Sequence, residues 1–323
     1  MQPPLSAMVE SHPTGGNQMT VPPNGFRAGF IAVVGRPNVG KSTLVNALLG
    51  QKVAAVSPRP QTTRRRQLGI LTLENAQLIF VDTPGIHAPH HKLGEFMNES
   101  AVQALEDADL ILWLIDASEP LNEEDFQISR RLASLNRPAK ILTGLNKIDL
   151  ISEEDLDSRR AAARELLPGA VCLEFSASLG DGMDRLLEAI IQRLPQGAHF
   201  FSEDQITDLY EREIAVDLIR EAALKYLDAE VPHCVAVRMD EFTERREDLS
   251  YIAATLFVER ESQKGIVIGK GGEMIKKISS SARQSIQIMT GRQVYLELRV
   301  KVSPNWRNNP SALRWLGYAK ERQ

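Results

Sequence analysis

The chain has 323 residues, a formal net charge of −4, 43% apolar and 25% charged residues, and two cysteines, Cys172 and Cys234. That length accommodates two domains with separate cores, and the balance is that of a soluble globular protein. Two cysteines without CxxC or zinc-ligand spacing exclude a disulfide framework and point to a reducing cytosolic compartment, and no apolar run reaches the roughly 18–20 residues that span a bilayer. The charge is uneven. From Arg260 to Gln323 there are 13 Lys+Arg against 4 Asp+Glu, a balance of +9, which leaves −13 on the remainder. A basic end on an acidic body calls for an anionic partner at that end alone.

Residues 1–27 hold five prolines and little that could form a core, and they read as a disordered tail. They have no apolar signal-peptide centre and one arginine, Arg27, so no secretory or mitochondrial leader is expected. From 28 to 195, short apolar runs alternate with amphipathic helices. Strands are predicted at 29–35, 67–73, 77–82, 110–116, 140–146 and 171–177, and helices at about 41–49, 94–107, 123–135, 153–166 and 184–193. This is the pattern of an α/β domain with a six-stranded, mostly parallel sheet covered on both faces. "ENA" between the second and third strands is too short for a crossover, so these two form a hairpin with one antiparallel edge strand.

"GRPNVGKS" at 35–42 follows the first strand and opens a helix. Its spacing is that of a phosphate loop: Gly35, Arg36, Pro37, Asn38, Val39 and Gly40 turn backbone N–H groups inward, and the helix beginning at Lys41, Ser42 and Thr43 adds its positive end. Lys41 is expected to reach the β- and γ-phosphates and Ser42 to ligate Mg²⁺. "DTPG" (Asp82, Thr83, Pro84, Gly85) ends the third strand: Asp82 can hold a water on Mg²⁺, and the Gly85 N–H can sense a γ-phosphate. "NKID" ends the fifth. Asp149 can accept from both N1–H and N2–H₂ of guanine, Asn146 braces the loops, and the Lys147 stem covers the base. "SAS" (Ser176, Ala177, Ser178) ends the sixth, where the Ala177 N–H can bind guanine O6. All four pieces stand at carboxyl ends of strands, where open α/β sheets bind ligands. Together they specify GTP, because adenine would place a lone pair against Asp149.

"RPQTTRRR" at 59–66 fills the first mobile loop. A threonine there completes the Mg²⁺ shell once the γ-phosphate is present; Thr63 is preferred and Thr62 is the alternative. Arg64, Arg65 and Arg66 are either a solvated run or a partner contact. His87, His90 and His91 lack the i, i+4 spacing of a helical metal site and read as a polar loop. The position after "DTPG", where a water-orienting glutamine stands in many related GTPases, is Ile86, so hydrolysis independent of glutamine, and slow in isolation, is expected.

"LPQGAHFFSEDQ" marks a linker, taken as 196–205. The remaining 206–323 reads as a second domain: a helix over 206–228, strands at about 233–240 and 249–260, a Gly269-Lys270-Gly271-Gly272 turn between two helices, the later at about 272–289, and a third strand at 293–302. In that last strand Val294, Leu296, Leu298, Val300 and Val302 alternate with polar residues. The order α-β-β-α-α-β matches an α+β KH module of the bacterial type, whose GxxG turn clamps single-stranded nucleic acid. Ile266 and Ile268 can line a groove for unstacked bases. Trp306 and Trp315 flank the basic end and serve packing or base stacking.

With "GRPNVGKS", "PQTTR", "DTPGIH", "NKID", "SAS" and "IGKGGEMIKKI" in this order, the chain resembles the Era family from about residue 28 to its end. The resemblance implies a P-loop GTPase domain followed by a KH domain. It implies a cytoplasmic, Mg²⁺-dependent GTP/GDP switch that binds the 3′ region of 16S rRNA and assists small ribosomal subunit biogenesis. It also implies RNA contacts at Ile268, Gly269, Lys270, Gly271, Gly272, Lys276 and Lys277, and K⁺ held by Asn38 beside the phosphates, although Asn38 can equally serve only to shape its loop. The catalytic set is then Lys41, Thr63, Asp82, Gly85 and Asn38. A monomer is expected, with peripheral contact to the inner membrane surface as a further expectation. Two other readings fit the residues: a signalling GTPase whose basic end docks on a membrane or protein, and an RNA chaperone in which nucleotide only stabilises the fold.

Overall fold

The computed structural model describes residues 25–56, 62–85, 89, 91–135, 140–246 and 248–318. The expected tail, and Ile86, His87 and His90, lie outside these residues apart from the last three residues of the tail. The chain forms two compact units. The first comprises 1–50, 65–88 and 97–208; the second comprises 51–64, 89–96 and 209–323.

In the first unit the elements alternate as β1 (Arg27–Val34), α1 (Lys41–Leu49), β2 (Gln67–Thr72), β3 (Ala76–Asp82), α2 (Lys92–Asp107, its residues 92–96 counted with the second unit), β4 (Leu110–Asp116), α3 (Glu123–Ser134), β5 (Ile141–Asn146), α4 (Glu153–Leu166), β6 (Val171–Phe175) and α5 (Met183–Ile191). The described strands form one sheet in the order β2-β3-β1-β4-β5-β6. Every pair is parallel except the β2–β3 hairpin. β3, β4 and β5 are buried along their whole length, as strands covered by helices on both faces must be. Helix starts follow local chemistry. Asn122 caps α3, accepting from the N–H groups of Glu124 and Asp125, while the Asp125 carboxylate accepts in return from the Asn122 N–H. Parallel pairing leaves the loops after β1, β3, β5 and β6 at the same edge of the sheet.

The stretch expected to be a linker is part of this unit. Gly197 N–H donates to Phe26 O at 3.1 Å, and the N–H groups of Phe200 and Phe201 donate to Gln77 Oε1 at 2.7 and 3.0 Å. Ile70 N–H reaches Ile206 O at 2.8 Å, and Leu68 N–H reaches Asp208 Oδ1 at 2.9 Å. Two physical causes outweigh the Pro/Gly composition. Phe201 enters the core and Phe200 packs edge-on to Phe30 with ring centroids 5.1 Å apart. The outer edge of β2 offers N–H groups that need acceptors, and 206–208 supplies them. The following helix therefore starts at Glu211 rather than at 206.

The second unit runs α6 (Glu211–Tyr226), α7 (Val231–Cys234), β7 (Ala236–Arg246), β8 (Leu249–Val258), α8 (Glu261–Ile268), α9 (Glu273–Thr290), β9 (Gln293–Val302) and α10 (Pro310–Trp315). β7 and β8 pair antiparallel, and β8 and β9 pair parallel. One face of this sheet packs on α6 and α9: Ile252, Ala254, Leu256 and Val294 join Leu218, Ala222, Ile278 and Ile286 in a single core. The alternation expected in β9 holds, with Leu296, Leu298, Val300 and Val302 packed against that core. No described helix is long and apolar enough to cross a membrane.

Candidate functional site

The phosphate loop is shaped by backbone that few residues accept. Asn38 has φ 65° and Gly40 φ 99°. A Cβ at Gly40 would stand 2.3 Å from Asn146 Nδ2, so only glycine lets the loop close on the β5 loop. Asn146 joins three pieces: its Nδ2 donates to Val39 O at 2.8 Å, and its Oδ1 accepts from the Ala177 N–H at 3.0 Å. The bracing expected of Asn146 is thus explicit. The Ala177 N–H, expected to bind guanine O6, is bonded to Asn146 Oδ1 in this structure. Binding of O6 there requires that the donor be shared.

Lys41 is buried, and its ammonium donates to Gly35 O at 3.1 Å and Arg36 O at 2.8 Å. Burial pushes its pKa down to about 8, with the Asp82 carboxylate opposing. Ser42 Oγ donates to Asp82 Oδ2 at 2.7 Å, and Gln67 Nε2 reaches the same oxygen at 3.4 Å. A hydroxyl and a fully buried carboxylate side by side, both hard oxygen donors, fit Mg²⁺. Thr83 Oγ1 donates to Val33 O at 2.8 Å, fixing the start of the loop after β3. A Cβ at Gly85 would meet Pro37 N at 2.9 Å, so the two phosphate-facing loops touch.

In the base loop, Lys147 has a left-handed φ of 67° and its ammonium is paired with the buried Asp116. Asp116 also accepts from Ser118 N–H at 3.0 Å and Ser118 Oγ at 2.6 Å. Asp149 is exposed within the turn Ile148–Leu150. Ser176 Oγ and Ser178 Oγ are 3.1 Å apart. Thr43 sits in the first turn of α1. Thr62 and Thr63 are half-buried and belong to the segment 51–64 of the second unit.

Two supporting interactions, those of Asp116 and of Arg36, escape a reading of the sequence. Asp116 stands directly beside Asn146 in the β4–β5 register, so an acid ending the neighbouring strand was the available signal. Arg36 is tied by Glu119 at 2.7 Å and by the buried Asp125 at 3.4 Å, which fastens the phosphate loop to the start of α3. Burial raises the Asp125 carboxyl pKa, opposed by the Asn122 N–H and by Arg36.

In the second unit, Gly269, Gly271 and Gly272 have φ of 73°, 60° and 82°. That run of positive φ turns the chain from α8 into α9 within one short loop, and it explains the glycines. Lys270, Lys276 and Lys277 are exposed, Ile266 is exposed and Ile268 half-buried, whereas Val267 and Ile278 anchor the two helices in the core. His91 Nδ1 accepts from the Gly94 N–H at 2.9 Å, a local helix-start bond. Among the described residues no group of three or more His, Cys, Asp or Glu could hold a metal ion. Trp306 is fully buried and its Nε1–H donates to Cys234 O at 2.9 Å, so it serves packing. Trp315 is 49% exposed, with the Arg238 guanidinium 4.2 Å from its ring centroid. The basic run is not solvated throughout: Arg64 is 2% exposed.

A phosphate loop, an aspartate beside its serine and an Asn-Lys-x-Asp loop locked to a Ser-Ala-Ser loop define a P-loop GTPase domain, here joined to a KH module. A family model described as "50S ribosome-binding GTPase" matches residues 30–147, and one described as "KH domain" matches 230–307. GTPase Era of Ruminiclostridium cellulolyticum is 44% identical over 293 residues, covering 91% of this chain and 98% of that one. GTPase Era of Geobacter metallireducens is 43% identical over 296 residues, covering 91% and 99%. Two solved structures cover 91% of this chain. Era in complex with MgGDPNP and nucleotides 1506–1542 of 16S ribosomal RNA superposes with a TM-score of 0.87 at 41% identity over 99% of that chain. A tyrosine-to-alanine variant of Aquifex aeolicus Era bound to GDP and AlF₄⁻ superposes at 0.86 and 40% identity over 100% of that chain. The chain belongs to the Era family of GTPases.

Proposed function

We propose that this GTPase uses GTP binding and hydrolysis to control a KH domain that holds the 3′ region of 16S rRNA, and that it assists small ribosomal subunit biogenesis in the cytoplasm. The observation that carries the reading is the presence in one chain of two phosphate-directed turns of different build. Gly35–Ser42 is closed on Asn146 and suits a compact triphosphate. Gly269–Gly272 is a glycine turn flanked by exposed Lys270, Lys276 and Lys277 and suits an extended strand.

At the nucleotide, Lys41 exchanges its bonds to the Gly35 and Arg36 carbonyls for phosphate oxygens and keeps its proton there. Ser42 and Asp82 hold Mg²⁺, with Thr63 completing the shell when a γ-phosphate is present, and the bound ion neutralises charge on the β- and γ-oxygens. The Gly85 N–H reads the γ-phosphate. The Ile86 side chain can neither donate nor accept, so no glutamine orients the water. Asn38, held at positive φ within the loop, would hold K⁺ through its amide oxygen, and the cation would supply positive charge to the reacting phosphate. Hydrolysis is therefore expected to run about tenfold or more faster in KCl than in matched NaCl; equal rates would remove potassium from the mechanism. The RNA function is tested by filter binding of an oligoribonucleotide carrying the 16S 3′ end, with GDP and with a non-hydrolysable GTP analogue. Absence of binding under both conditions would overturn it. The protein acts as a monomer, and peripheral contact of the basic end with the anionic inner membrane surface is a secondary element of the proposal.

A further inference from the structure

Lys147 and Asp149 carry opposite charges two positions apart in the base loop of the first unit, and the Asp149 side chain is exposed. A lysine on a flexible four-carbon stem is a ready ion-pair partner for a carboxylate so near in the chain. The structure directs the ammonium elsewhere, to Oδ2 of Asp116, whose side chain is 3% exposed. Three local features set that choice. β4 and β5 pair in a register that puts Asp116 beside Asn146, and the Ala117 N–H donates to Asn146 O at 2.9 Å, so the strands stay joined to the point where the loop begins. Lys147 then takes left-handed backbone, φ 67° and ψ 34°, unfavourable for a residue with a Cβ, before the turn closed by the Leu150 N–H on Lys147 O at 3.1 Å. Finally, Asp116 divides its oxygens: Oδ1 accepts from Ser118 N–H at 3.0 Å and from Ser118 Oγ at 2.6 Å, which leaves Oδ2 for the ammonium.

We propose that Asp116 is a positioning residue for guanine recognition, and that it acts by sequestering the Lys147 ammonium so that the Asp149 carboxylate stays open to the N1–H and N2–H₂ of the base. The proposal rests on the reading of Asp149 as the guanine acceptor. Two carboxylates compete for one ammonium. Asp116 has the stronger claim, because attraction to a buried carboxylate is less weakened by water and salt than attraction to an exposed one. Its Oδ1 is satisfied by Ser118, so the buried charge is both paired and hydrogen-bonded. With the Asp116 charge removed, Asp149 becomes the nearest acidic partner in the loop, and an ammonium held there occupies the oxygens that guanine needs.

The test titrates the full chain calorimetrically with GDP, which carries the base and no γ-phosphate. Asp116→Asn keeps an oxygen for both Ser118 donors and sets an N–H₂ against the ammonium, donor against donor. It is expected to weaken GDP about fivefold, the upper range for an exposed lysine–carboxylate pair competing at Asp149. Adding Lys147→Met removes the charge and keeps a long apolar stem, and it is expected to restore most of that loss, so that the double variant binds more tightly than Asp116→Asn alone. The gap between Asp116→Asn and the parent is also expected to narrow at high salt, because the competing pair is exposed. A purely structural role for Asp116, or a simple tether of the lysine, predicts a double variant no tighter than the single one at any salt concentration. That result, or parental affinity in Asp116→Asn, would overturn the proposal. Should Asp116→Asn fail to fold, Asp116→Ser, whose hydroxyl can also accept from Ser118, is compared with and without Lys147→Met. Failure of both substitutions to fold in either background would make the carboxylate a structural requirement and overturn the proposal as well. Retained tight GDP binding by Asp149→Asn would instead overturn the Asp149 reading, whereas a loss in Asp149→Asn without rescue by Lys147→Met would overturn the sequestration alone.

Discussion

Asp149→Asn is expected to weaken GTP binding by about 10³-fold or more and to turn the pocket toward xanthosine triphosphate. Asp149 lies in the turn Ile148–Leu150, which opens on Lys147 in left-handed backbone with its ammonium fastened to Asp116. The turn presents the Asp149 carboxylate to solvent with its acceptor oxygens available to the N1–H and N2–H₂ of guanine. An asparagine would face the 2-amino group with its own N–H₂, donor against donor, whereas the 2-carbonyl of xanthine would accept from it. The loss is large because a site built on paired hydrogen bonds leaves both partners unsatisfied when one is reversed. Stability should change little: the side chain is exposed, and the bracing of the loops runs through the untouched Asn146. Calorimetric titration of both forms with both triphosphates checks this, and retained tight GTP binding by the variant would remove Asp149 from base recognition.

The nucleotide site was legible in the sequence because its parts are local. Each motif is a strand end and the few residues after it, and buried parallel strands such as "LILWLID" announce themselves as unbroken apolar runs. The glycine spacing reported real backbone demands, as Gly40 against Asn146 shows. What escaped was what depends on tertiary pairing. Nothing around Ala177 reveals that its N–H is taken by a side chain 31 positions earlier. Arg36 read as a loop residue, but its partners Glu119 and Asp125 arrive from a different connection.

Composition also misled where burial reversed its meaning. "LPQGAHFFSEDQ" has the Pro, Gly and polar content of a linker, but the two phenylalanines and the unpaired edge of β2 hold it to the first unit. Arg64 reads as part of either a solvated basic run or a partner contact, yet backbone carbonyls at the end of α7 and the faces of two aromatic rings give its charge a buried place. A sequence pattern assigns a charged residue to the surface by default, and only the supply of acceptors in three dimensions overrides that default. The KH turn was legible for the opposite reason: three glycines within four residues are hard to explain except by the positive φ that the turn has.

Gly271→Asp is expected to weaken binding of the 16S 3′-end oligoribonucleotide by about 100-fold, a cost in keeping with placing a like charge against phosphate. The substitution separates charge from folding. Gly271 has φ 60°, a region that aspartate tolerates better than most residues, and a Cβ there meets no atom within 4 Å. The turn therefore keeps its path, held by the Gly272 N–H on Gly269 O at 3.2 Å and by the burial of Val267 and Ile278 on either side. What changes is the potential where Lys270, Lys276 and Lys277 stand ready for a sugar-phosphate chain. GTP affinity, set by residues 35–42 and 146–149, should be unaltered, and a normal melting transition would show that the second unit remains folded. If the GxxG turn is the clamp, wild-type affinity falls steeply with salt, and Lys276→Ala with Lys277→Ala lowers that slope by about 0.7 for each phosphate no longer neutralised by a lysine. Wild-type RNA affinity in Gly271→Asp, with its fold intact, would mean that the polynucleotide is held elsewhere on the basic segment and that the glycine turn is only a helix connection.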